Sequence, residues 1–343
     1  MNIEIPSEIK SPFTGGPVKE VLCLEEREFR REKYLVHACY CRCEDTGERF
    51  STTGQDTLLF DDLYSQYRNA HGIPFPDELK ALRERCGLSF AQISRLTGFG
   101  INQWGQYEEG TMPSESNART VSLMASPEGM KVLLDAAGPA FREDERRKIL
   151  AHIEASSPSD GDRFRRRLLY GGTQRCVMNG FAPLSPERLE EMTGRICGPT
   201  DAGGRMTPAR LSLLLFLCDF RHFRRTGRAI SGLRYVAGEN GPMPEHRETV
   251  FDNVRRLNIS SRVENDCECV SLAYSKPEEM KSAIDSSEIA TIEEILSETS
   301  GLTTEELVGM GKEEPGWAEN AGTCGQIAFA WAVVPKKNDR ISF

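Results

Sequence analysis

Three side-chain amides at helical spacing are the first residues in the sequence that could do chemistry. Asn102, Gln103 and Gln106 alternate with the aromatic residues Trp104 and Tyr107. On a helix this spacing turns the aromatic residues to one side and the amides to the other, exposed side. A side-chain amide can pair bidentately with the N6 and N7 atoms of adenine in the major groove. The pattern predicts a base-reading helix, although a helical hairpin with a solvated polar face would show the same spacing.

A second candidate set consists of titratable groups. Asp219 and His222 lie three residues apart on one predicted helix, and Glu313 or Glu314 could join them as an acid–base constellation. The sequence has no nucleophile motif, glycine-rich phosphate loop or complete metal-ligand set beside them. We therefore predict a helix-capping or core hydrogen-bonding role for Asp219, no enzymatic activity and no cofactor. An enzyme would instead need a solvent-open cleft that unites these groups.

Three cysteines form the third candidate set, Cys39, Cys41 and Cys43, in Cys-x-Cys-x-Cys spacing. They alternate with Tyr34, Val36, Ala38 and Tyr40, which is the pattern of a β-strand with two distinct faces. Alternate strand residues lie roughly 7 Å apart, too far for three thiolates on one tetrahedral ion without a bend. The spacing favours buried thiols over a metal site, and we predict no metal ligands in the chain.

The segment 77–110 must position the amides, and its signals predict a helix-turn-helix unit. Ser89 and Gln92 form a capping box for the second helix, which Gly98 and Gly100 end. A third helix is expected over Ile101–Glu109, followed by Gly110. The predicted inward residues of the last two helices are Ala91, Ile93, Leu96, Ile101, Trp104 and Tyr107. Ser89 and Arg95 complete the candidate DNA-binding set of Asn102, Gln103 and Gln106.

The same segment resembles the DNA-binding half of the MqsA (YgiT-type) antitoxins, whose signature is V-N-x-F-x-R-Y-E-x-G. The matching stretch, residues 101–110, reads INQWGQYEEG. The resemblance implies that Asn102 occupies the position of the base-reading asparagine, while Gln106 replaces an arginine. Because basic and acidic residues balance within the segment, phosphate attraction must come from a second copy or from elsewhere in the chain.

In MqsA-like proteins the N-terminal part is a zinc ribbon built from C-P-x-C-G and C-x-x-C-G. The corresponding stretches here are SPFTG, residues 11–15, and CEDTG, residues 43–47. Three of the four thiolates are missing, and hydroxyl groups are poor zinc ligands. The resemblance therefore implies a degenerate ribbon without its zinc, with a hairpin turn at residues 44–47. Asp56 is expected to cap the helix that follows.

A second resemblance covers the C-terminal part of the chain. Residues 215–228, 230–237, 241–244 and 313–317 carry L-x-x-x-D-F-x-H-x-x-x-T-G-R, I-S-G-x-x-Y-V-A, G-P-x-P and E-E-P-x-W. This order resembles the Panacea (SocA-associated) antitoxin domain, in which a histidine usually precedes E-E-P; here that residue is Lys312. The resemblance implies an α+β domain that binds and neutralises a protein toxin.

Composition predicts a soluble, multidomain and predominantly α protein. The 343 residues are 38% hydrophobic and 28% charged, with a net charge of −9. No apolar run reaches membrane-spanning length, and residues 1–10 lack the pattern of a signal peptide. Eleven cysteines without a repeated spacing predict free thiols and a cytoplasmic location. The predicted domains are a degenerate ribbon at 1–76, a helix-turn-helix domain at 77–137, a connector at 138–204 and a Panacea domain at 205–343.

Two features bear on partners. Ser126 and Pro127 predict a helix start, and this helix, with Val132, Leu133 and Ala136 on its apolar face, would help supply the dimer contact by analogy with the resembled family. Arg163, Arg165, Arg166 and Arg167 form the densest basic cluster, which is either a solvated helix face or a clamp for DNA phosphates or an acidic or RNA-like partner surface.

Together these features predict a homodimeric antitoxin of a toxin–antitoxin pair. Its partners would be a cognate protein toxin and operator double-stranded DNA, through which it would repress its own operon, and no membrane. The alternative is a stand-alone transcriptional regulator or a proteolytic adaptor with a partner-binding C-terminal domain.

Overall fold

Helices dominate the structure, with small antiparallel sheets beside them. The computed structural model describes residues 9–156, 174–198, 206–254, 256–264, 267–274 and 282–334. The strands are β1 Val18–Phe29, β2 Glu32–Cys43, β3 Arg49–Phe50, β4 Tyr235–Gly238, β5 Gly241–Pro244, β6 Leu257–Glu264, β7 Cys267–Tyr274 and β8 Gln326–Ile327. The helices are α1 Thr53–His71, α2 Pro76–Arg85, α3 Phe90–Thr97, α4 Gln103–Glu108, α5 Glu115–Leu123, α6 Pro127–Ala137, α7 Glu143–Ser156, α8 Pro186–Ile196, α9 Pro208–Thr226, α10 Arg247–Asp252, α11 Ser286–Thr299, α12 Thr304–Lys312 and α13 Pro315–Asn320. The predicted multidomain, predominantly α fold is confirmed.

The chain divides into two compact units. The composite unit joins Met1–Ser65 with Thr173–Phe343, and the inserted unit is Gln66–Gly172. In the composite unit Cys39 and Leu58 lie in the same hydrophobic core as residues from Val177 onward. This grouping differs from the four segments predicted from the sequence. The boundaries of those four domains stay a prediction.

The first sheet has the order β1–β2–β3, and its first two strands form a long antiparallel hairpin. Val21 pairs with Tyr40, and Cys23 pairs with Ala38. The turn between β1 and β2 has two residues, Arg30 and Arg31, both with positive φ. Two-residue hairpin turns of this kind follow the right-handed twist of the strands but favour glycine or asparagine. The hairpin turn predicted at residues 44–47 is also present, where the Gly47 N–H donates to the Cys43 carbonyl oxygen over 2.9 Å.

Gln55 joins helix α1 to the sheet by hydrogen bonds to two thiols of β2. Its side-chain amide donates to Cys39 Sγ over 3.5 Å and to Cys41 Sγ over 3.4 Å. The same residue reaches back to the N–H of Thr52, whose hydroxyl in turn accepts from the Gln55 N–H. Thr52 therefore caps α1, and the predicted start of this helix at Asp56 is wrong by one turn. Cys39, Cys41 and Cys43 are buried, as their alternation predicts.

Helix α9 is the centre of the composite core. Thr207 caps it, Pro208 is its first residue, and Gly227 ends it with φ of +72°. The buried residues include Leu211, Leu214, Leu215 and Cys218, which recur at helical spacing. The helix packs against α8, α11, α12 and β5, so it touches most of the unit. Sheet β5–β4–β8 and the hairpin of β6 and β7 complete the predicted α+β arrangement.

The inserted unit builds a separate hydrophobic core around the helix-turn-helix. The predicted capping box of Ser89 and Gln92 opens α3, and Gly98 ends it in the left-handed conformation. Trp104 and Tyr107 are fully buried, as predicted. Helices α5, α6 and α7 close the core, with Ser126 as the predicted cap of α6. The core residues are Leu79, Cys86, Leu88, Ile93, Leu96, Trp104, Tyr107, Val121, Met124, Met130, Leu133, Leu134, Phe141, Ile149 and Ile153.

Four residues predicted to face inward are exposed instead. Ile101 is 76% exposed and Val132 is 58% exposed, while Ala91 and Ala136 also lie at the surface. Ile101 precedes α4, which begins at Gln103. The spacing of three residues that places Trp104 and Tyr107 on one side of the helix therefore does not determine the direction of Ile101. On α6 the buried face consists of Met130, Leu133 and Leu134, and Val132 lies on the opposite side.

No helix in the described part of the chain is both long enough and apolar enough to cross a membrane.

Candidate nucleic-acid interface and the buried motif network

Aromatic packing fixes the orientation of α4 within the inserted unit. The Phe99 ring centroid lies 6.4 Å from that of Trp104 and 6.1 Å from that of Tyr107. The Tyr107 hydroxyl accepts a hydrogen bond of 2.7 Å from the Asn117 amide. Because two of its six residues are anchored in this way, α4 cannot rotate about its axis without breaking the core.

Glu108 holds the end of α4 to α2. Its carboxylate accepts two hydrogen bonds from Arg83, of 2.6 and 2.9 Å, and a third of 2.6 Å from the Trp104 indole N–H. The paired carboxylate raises the pKa of the Arg83 guanidinium. Bidentate pairs of this kind add geometric definition as well as energy. The consequence for binding is that the charge of Arg83 is already neutralised inside the protein.

The predicted reading face is present and open to solvent. Asn102 and Gln106 are exposed, and Gln103 is partly exposed. Asn102 is the N-cap residue of α4, but its side chain makes no capping hydrogen bond. Among the described residues, none hydrogen-bonds to the side-chain amide of Asn102, Gln103 or Gln106. Their donors and acceptors are therefore available to a ligand such as a base edge.

The two candidates on α3 are placed differently. Ser89 is exposed, but its hydroxyl lies in the capping box and accepts from the Gln92 N–H over 3.3 Å. Arg95 donates to the carbonyl oxygen of Ala140 over 3.0 Å, and its guanidinium lies 5.1 Å from the Phe141 ring centroid. The guanidinium has further N–H donors. A DNA contact by either residue stays a prediction.

The described residues of the inserted unit carry no net positive charge. Its described residues, 66–156, contain eleven lysines and arginines and twelve aspartates and glutamates. The predicted basic cluster of Arg163, Arg165, Arg166 and Arg167 lies outside the described residues. Sequence-independent affinity for DNA rises with the number of phosphates neutralised, so one copy of these described residues offers little of it.

Asp219 is the centre of a fully buried hydrogen-bond network in the composite unit. Its carboxylate accepts from the N–H groups of Ile230 and Ser231, each over 2.8 Å, from the Ser231 hydroxyl, and from the Tyr235 hydroxyl over 2.6 Å. Burial raises the pKa of the Asp219 carboxyl, while hydrogen bonds from Ser231 and Tyr235 oppose that effect. The network ties α9 to the segment that leads into β4. The first two of the four C-terminal motifs, residues 215–228 and 230–237, are therefore joined by hydrogen bonds to one side chain.

His222 and Glu314 bind other partners. His222 Nδ1 lies 3.1 Å from the Thr291 hydroxyl, and burial lowers the pKa of His222 to about 4. Glu314 is also buried, and its Oε2 lies 3.5 Å from Nη2 of Arg224. Asp219, His222 and Glu314 are each less than 5% exposed. The hydrogen bonds of Asp219 and His222 go to other buried groups, which agrees with the core role predicted for Asp219.

The N-terminal segment has two tight turns, at residues 11–16 and 43–48. The N–H groups of Phe13 and Thr14 donate to Ser11 Oγ over 3.2 and 3.4 Å, and the Glu48 N–H donates to Thr46 Oγ1 over 3.3 Å. The Cys43 thiol lies beside hydroxyl groups of both turns. Hydrogen bonds from the hydroxyls of Ser11, Thr46 and Thr14 lower the pKa of the Cys43 thiol to about 6. Three hydroxyls thus surround one sulfur.

No set of three or more His, Cys, Asp or Glu side chains in the described residues is arranged to hold a metal ion. This covers Cys39, Cys41 and Cys43, of which the first two share the Gln55 amide and the third lies beside the Thr14 hydroxyl.

Sequence reasoning missed several residues of these sites. It assigned Ile101 to the core, and it did not identify Ser231 and Tyr235 as partners of Asp219. The sequence does contain a signal for Ser231 and Tyr235. A buried aspartate needs several hydrogen-bond donors, and a serine and a tyrosine follow Asp219 closely in the motifs. For Ile101 the signal is Gly100 beside it, which places the residue in a turn.

Family models match two parts of the chain. Residues 213–318 match the model described as antitoxin SocA-like, Panacea domain, and residues 75–122 match a helix-turn-helix domain. The chain therefore carries both domains, in the order predicted from the sequence. No curated protein and no solved structure matches the chain.

Proposed function

We propose that the protein is an antitoxin that binds and neutralises a protein toxin through its Panacea domain and represses its own operon through its helix-turn-helix. One observation supports this most strongly: a SocA-like antitoxin domain and a helix-turn-helix with a free amide face occur in one chain. A toxin-binding module that also binds DNA can adjust its own synthesis to the amount of free toxin.

DNA recognition is proposed to proceed through α4 in the major groove. Asn102 and Gln106 lie four residues apart, so their amides project from one side of the helix. Each can accept from N6 and donate to N7 of an adenine. Ser89 and Arg95, on the preceding helix, are proposed to contact the DNA backbone, because the helix before a recognition helix crosses the phosphates.

We propose a homodimer on a palindromic operator in the cytoplasm. The near-neutral inserted unit supports this, because a second copy doubles the number of phosphate contacts. The exposed apolar residues Val132 and Ala136 lie one turn apart on α6 and are suited to a contact between two copies. In such an arrangement the two copies of α4 would lie about one helical turn of DNA apart.

Toxin neutralisation is proposed to be steric and to involve no chemical step. Asp219, His222 and Glu314, the acid–base candidates, are all buried. Their burial supports a structural role. The antitoxin would then cover the active surface of the toxin, without any cofactor.

We also propose that residues 9–50 derive from an MqsA-type zinc ribbon. The two turns around Ser11, Thr14, Cys43 and Thr46 support this, because hydroxyls and one thiol stand at the four ligand positions of that family. Their hydrogen bonds would replace the cross-link that a zinc ion supplies in a closed tetrahedral site.

The alternative function, a stand-alone regulator or a proteolytic adaptor, differs in its genetic context. An antitoxin requires a toxic reading frame beside its gene, whereas a regulator does not. The decisive experiment is to express each neighbouring small reading frame alone and together with the full chain. We expect one frame to arrest growth, the full chain to restore it, and the two proteins to purify as a complex.

The variant Asn102→Ala separates the two proposed activities. We expect it to restore growth as the wild type does, while repression of a reporter fused to the operon promoter is lost. Failure of the wild-type chain to restore growth beside any neighbouring frame would favour the alternative function.

A further inference from the structure

Ile101 is the most exposed large hydrophobic residue of the described chain. It is 76% exposed and lies directly before Asn102, the N-cap residue of α4. Exposed isoleucines are common one by one and need no explanation by themselves. This one, however, stands at the end of the reading helix that meets the bases in helix-turn-helix proteins.

The helix position that usually packs against a residue like Ile101 is polar here. A hydrophobic residue immediately before an N-cap usually packs against the fourth residue of the helix. In α4 that residue is Gln106, which is polar and exposed. The core contacts of this helix come from Trp104 and Tyr107 instead. Stability of the inserted unit therefore does not require an apolar side chain at position 101.

The backbone at Ile101 is nevertheless held in place. Its carbonyl oxygen lies 3.4 Å from the Ser94 hydroxyl, which donates to it. On the other side the Gln103 N–H donates to the Gly100 carbonyl oxygen over 2.9 Å. Two hydrogen bonds thus fix the turn on either side, and the exposed side chain projects from a defined position beside the Asn102 amide.

We propose that Ile101 contacts the 5-methyl group of a thymine next to the adenine that Asn102 reads. The proposal rests on the proposed function. Thymine is the one base that presents a methyl group in the major groove, and apolar side chains recognise it there. Ile101 and Asn102 together would select an adenine–thymine step, with the amide supplying hydrogen bonds and the isoleucine supplying apolar contact.

Removal of the methyl group from the DNA tests the contact directly. The probe is a duplex that the full-length protein selects from a random library, synthesised once with thymine and once with deoxyuridine at every thymine position. Deoxyuridine lacks the 5-methyl group but keeps the same hydrogen-bonding edge. Burial of one methyl group is worth roughly a fourfold change in affinity, so we expect the wild type to bind the deoxyuridine duplex about fourfold more weakly per half-site.

The variant Ile101→Ala should bind both duplexes with nearly equal affinity, and Ile101→Val should keep most of the discrimination. The matched control is Leu24→Ala, which shortens an exposed apolar side chain on β1; it should discriminate as the wild type does. Because the comparison uses the difference between two duplexes, a uniform loss of affinity in any variant does not affect it.

Two results would overturn the proposal. One is equal discrimination by wild type and Ile101→Ala, which would assign the methyl preference to another residue or to DNA shape. The other is a change in sedimentation of the DNA-free protein caused by Ile101→Ala, which would place Ile101 in a contact between copies. Failure of the proposed DNA-binding function looks different, because no duplex would then be enriched from the library.

Discussion

At the scale of single residues, Asn102 contributes most directly to the proposed operator recognition. Its amide is exposed and makes no hydrogen bond within the described chain. We expect Asn102→Ala to weaken operator binding by roughly 1–3 kcal/mol, because a bidentate amide–adenine pair is lost. Fluorescence anisotropy at several salt concentrations measures the change.

The slope of affinity against salt should stay the same in Asn102→Ala, since no phosphate contact is removed. Gln326→Ala, which removes an exposed amide of the composite unit, serves as the control and should leave operator affinity unchanged. Wild-type affinity in Asn102→Ala would exclude this residue from the reading face.

His222 should make the composite unit sensitive to acid. Burial lowers its pKa to about 4, against about 6.5 in an unfolded chain, so the unfolded state takes up the proton first as the pH falls. The folded state is therefore destabilised progressively between pH 6.5 and pH 4, by roughly 3 kcal/mol at the lower end. Above pH 6.5 the effect is absent. Urea unfolding at several pH values measures it.

His222→Gln keeps a polar side chain beside Thr291 but cannot titrate in this range. We expect its stability to decline less than that of the wild type between pH 6.5 and pH 4. The control is His246→Gln at a histidine near α10. Parallel stability curves for His222→Gln and wild type would show that another group causes the acid sensitivity.

The burial of individual residues was predictable where they lie within one continuous helix. Leu211, Leu214 and Cys218 follow a single uninterrupted helix, and all three are buried. Ile101 and Ala91 lie at or before helix starts, where periodicity has no fixed phase, and both are exposed. The partners of Asp219 were not predictable, because contacts between α9 and the segment before β4 depend on packing and not on spacing alone.

At the scale of elements, the two turns around Cys43 predict that a zinc site can be rebuilt. The wild type should contain well below one zinc per chain. The triple variant Ser11→Cys, Thr14→Cys and Thr46→Cys places four sulfurs where three hydroxyls and one thiol now cluster. We expect it to bind about one zinc ion per chain, since four thiolates form a closed structural site. Mass spectrometry under native conditions measures the stoichiometry.

Addition of Cys43→Ser to the triple variant removes one of the four sulfur ligands and should abolish stoichiometric zinc. A triple variant that binds no zinc would show that the four positions do not converge as closely as a tetrahedral site requires. Stoichiometric zinc in the wild type would contradict the view that the ribbon has lost its metal.

Caps were the most predictable features of the elements. Ser89 with Gln92, and Ser126 with Pro127, each begin a helix as expected. The start of α1 was misplaced because both Thr52 and Asp56 are suitable cap residues. The structure uses Thr52, since Gln55 then completes a capping box and also reaches two buried thiols.

At the scale of the whole molecule, the proposed dimer should depend on α6. Val132 is 58% exposed there, and Ala136 lies one turn further on the same side. Charged groups are depleted at the centre of interfaces. We therefore expect Val132→Asp to raise the dimer dissociation constant roughly tenfold or more, which corresponds to about 1.4 kcal/mol. Analytical ultracentrifugation without DNA measures it.

Ser116→Asp adds the same charge at an exposed position of α5, where it is compatible with the helix start, and should leave the dimer intact. An unchanged dimer in Val132→Asp would move the interface elsewhere. A monomer in the wild type at operator-binding concentrations would contradict the palindromic arrangement.

The order of the two domains was predictable from motifs, but the composite unit was not. Local signals describe each stretch of the N-terminal sheet correctly, yet nothing within the first 65 residues indicates that Cys39 and Leu58 share a core with residues after position 176. Contacts over such sequence separations leave no periodic pattern. They depend on the shapes of surfaces that form only when both parts are folded.

This discontinuity has a consequence for synthesis on the ribosome. The first strands leave the exit tunnel long before the helix α9 that completes their core, and at usual elongation rates the interval is on the order of tens of seconds. During that time the apolar face of β2 is without its core partners, so nascent chains should recruit chaperones there. The inserted unit has no such wait, because its described residues are contiguous. In newly made molecules the DNA-reading helix would then fold before the composite unit, which contains the Panacea domain, is complete.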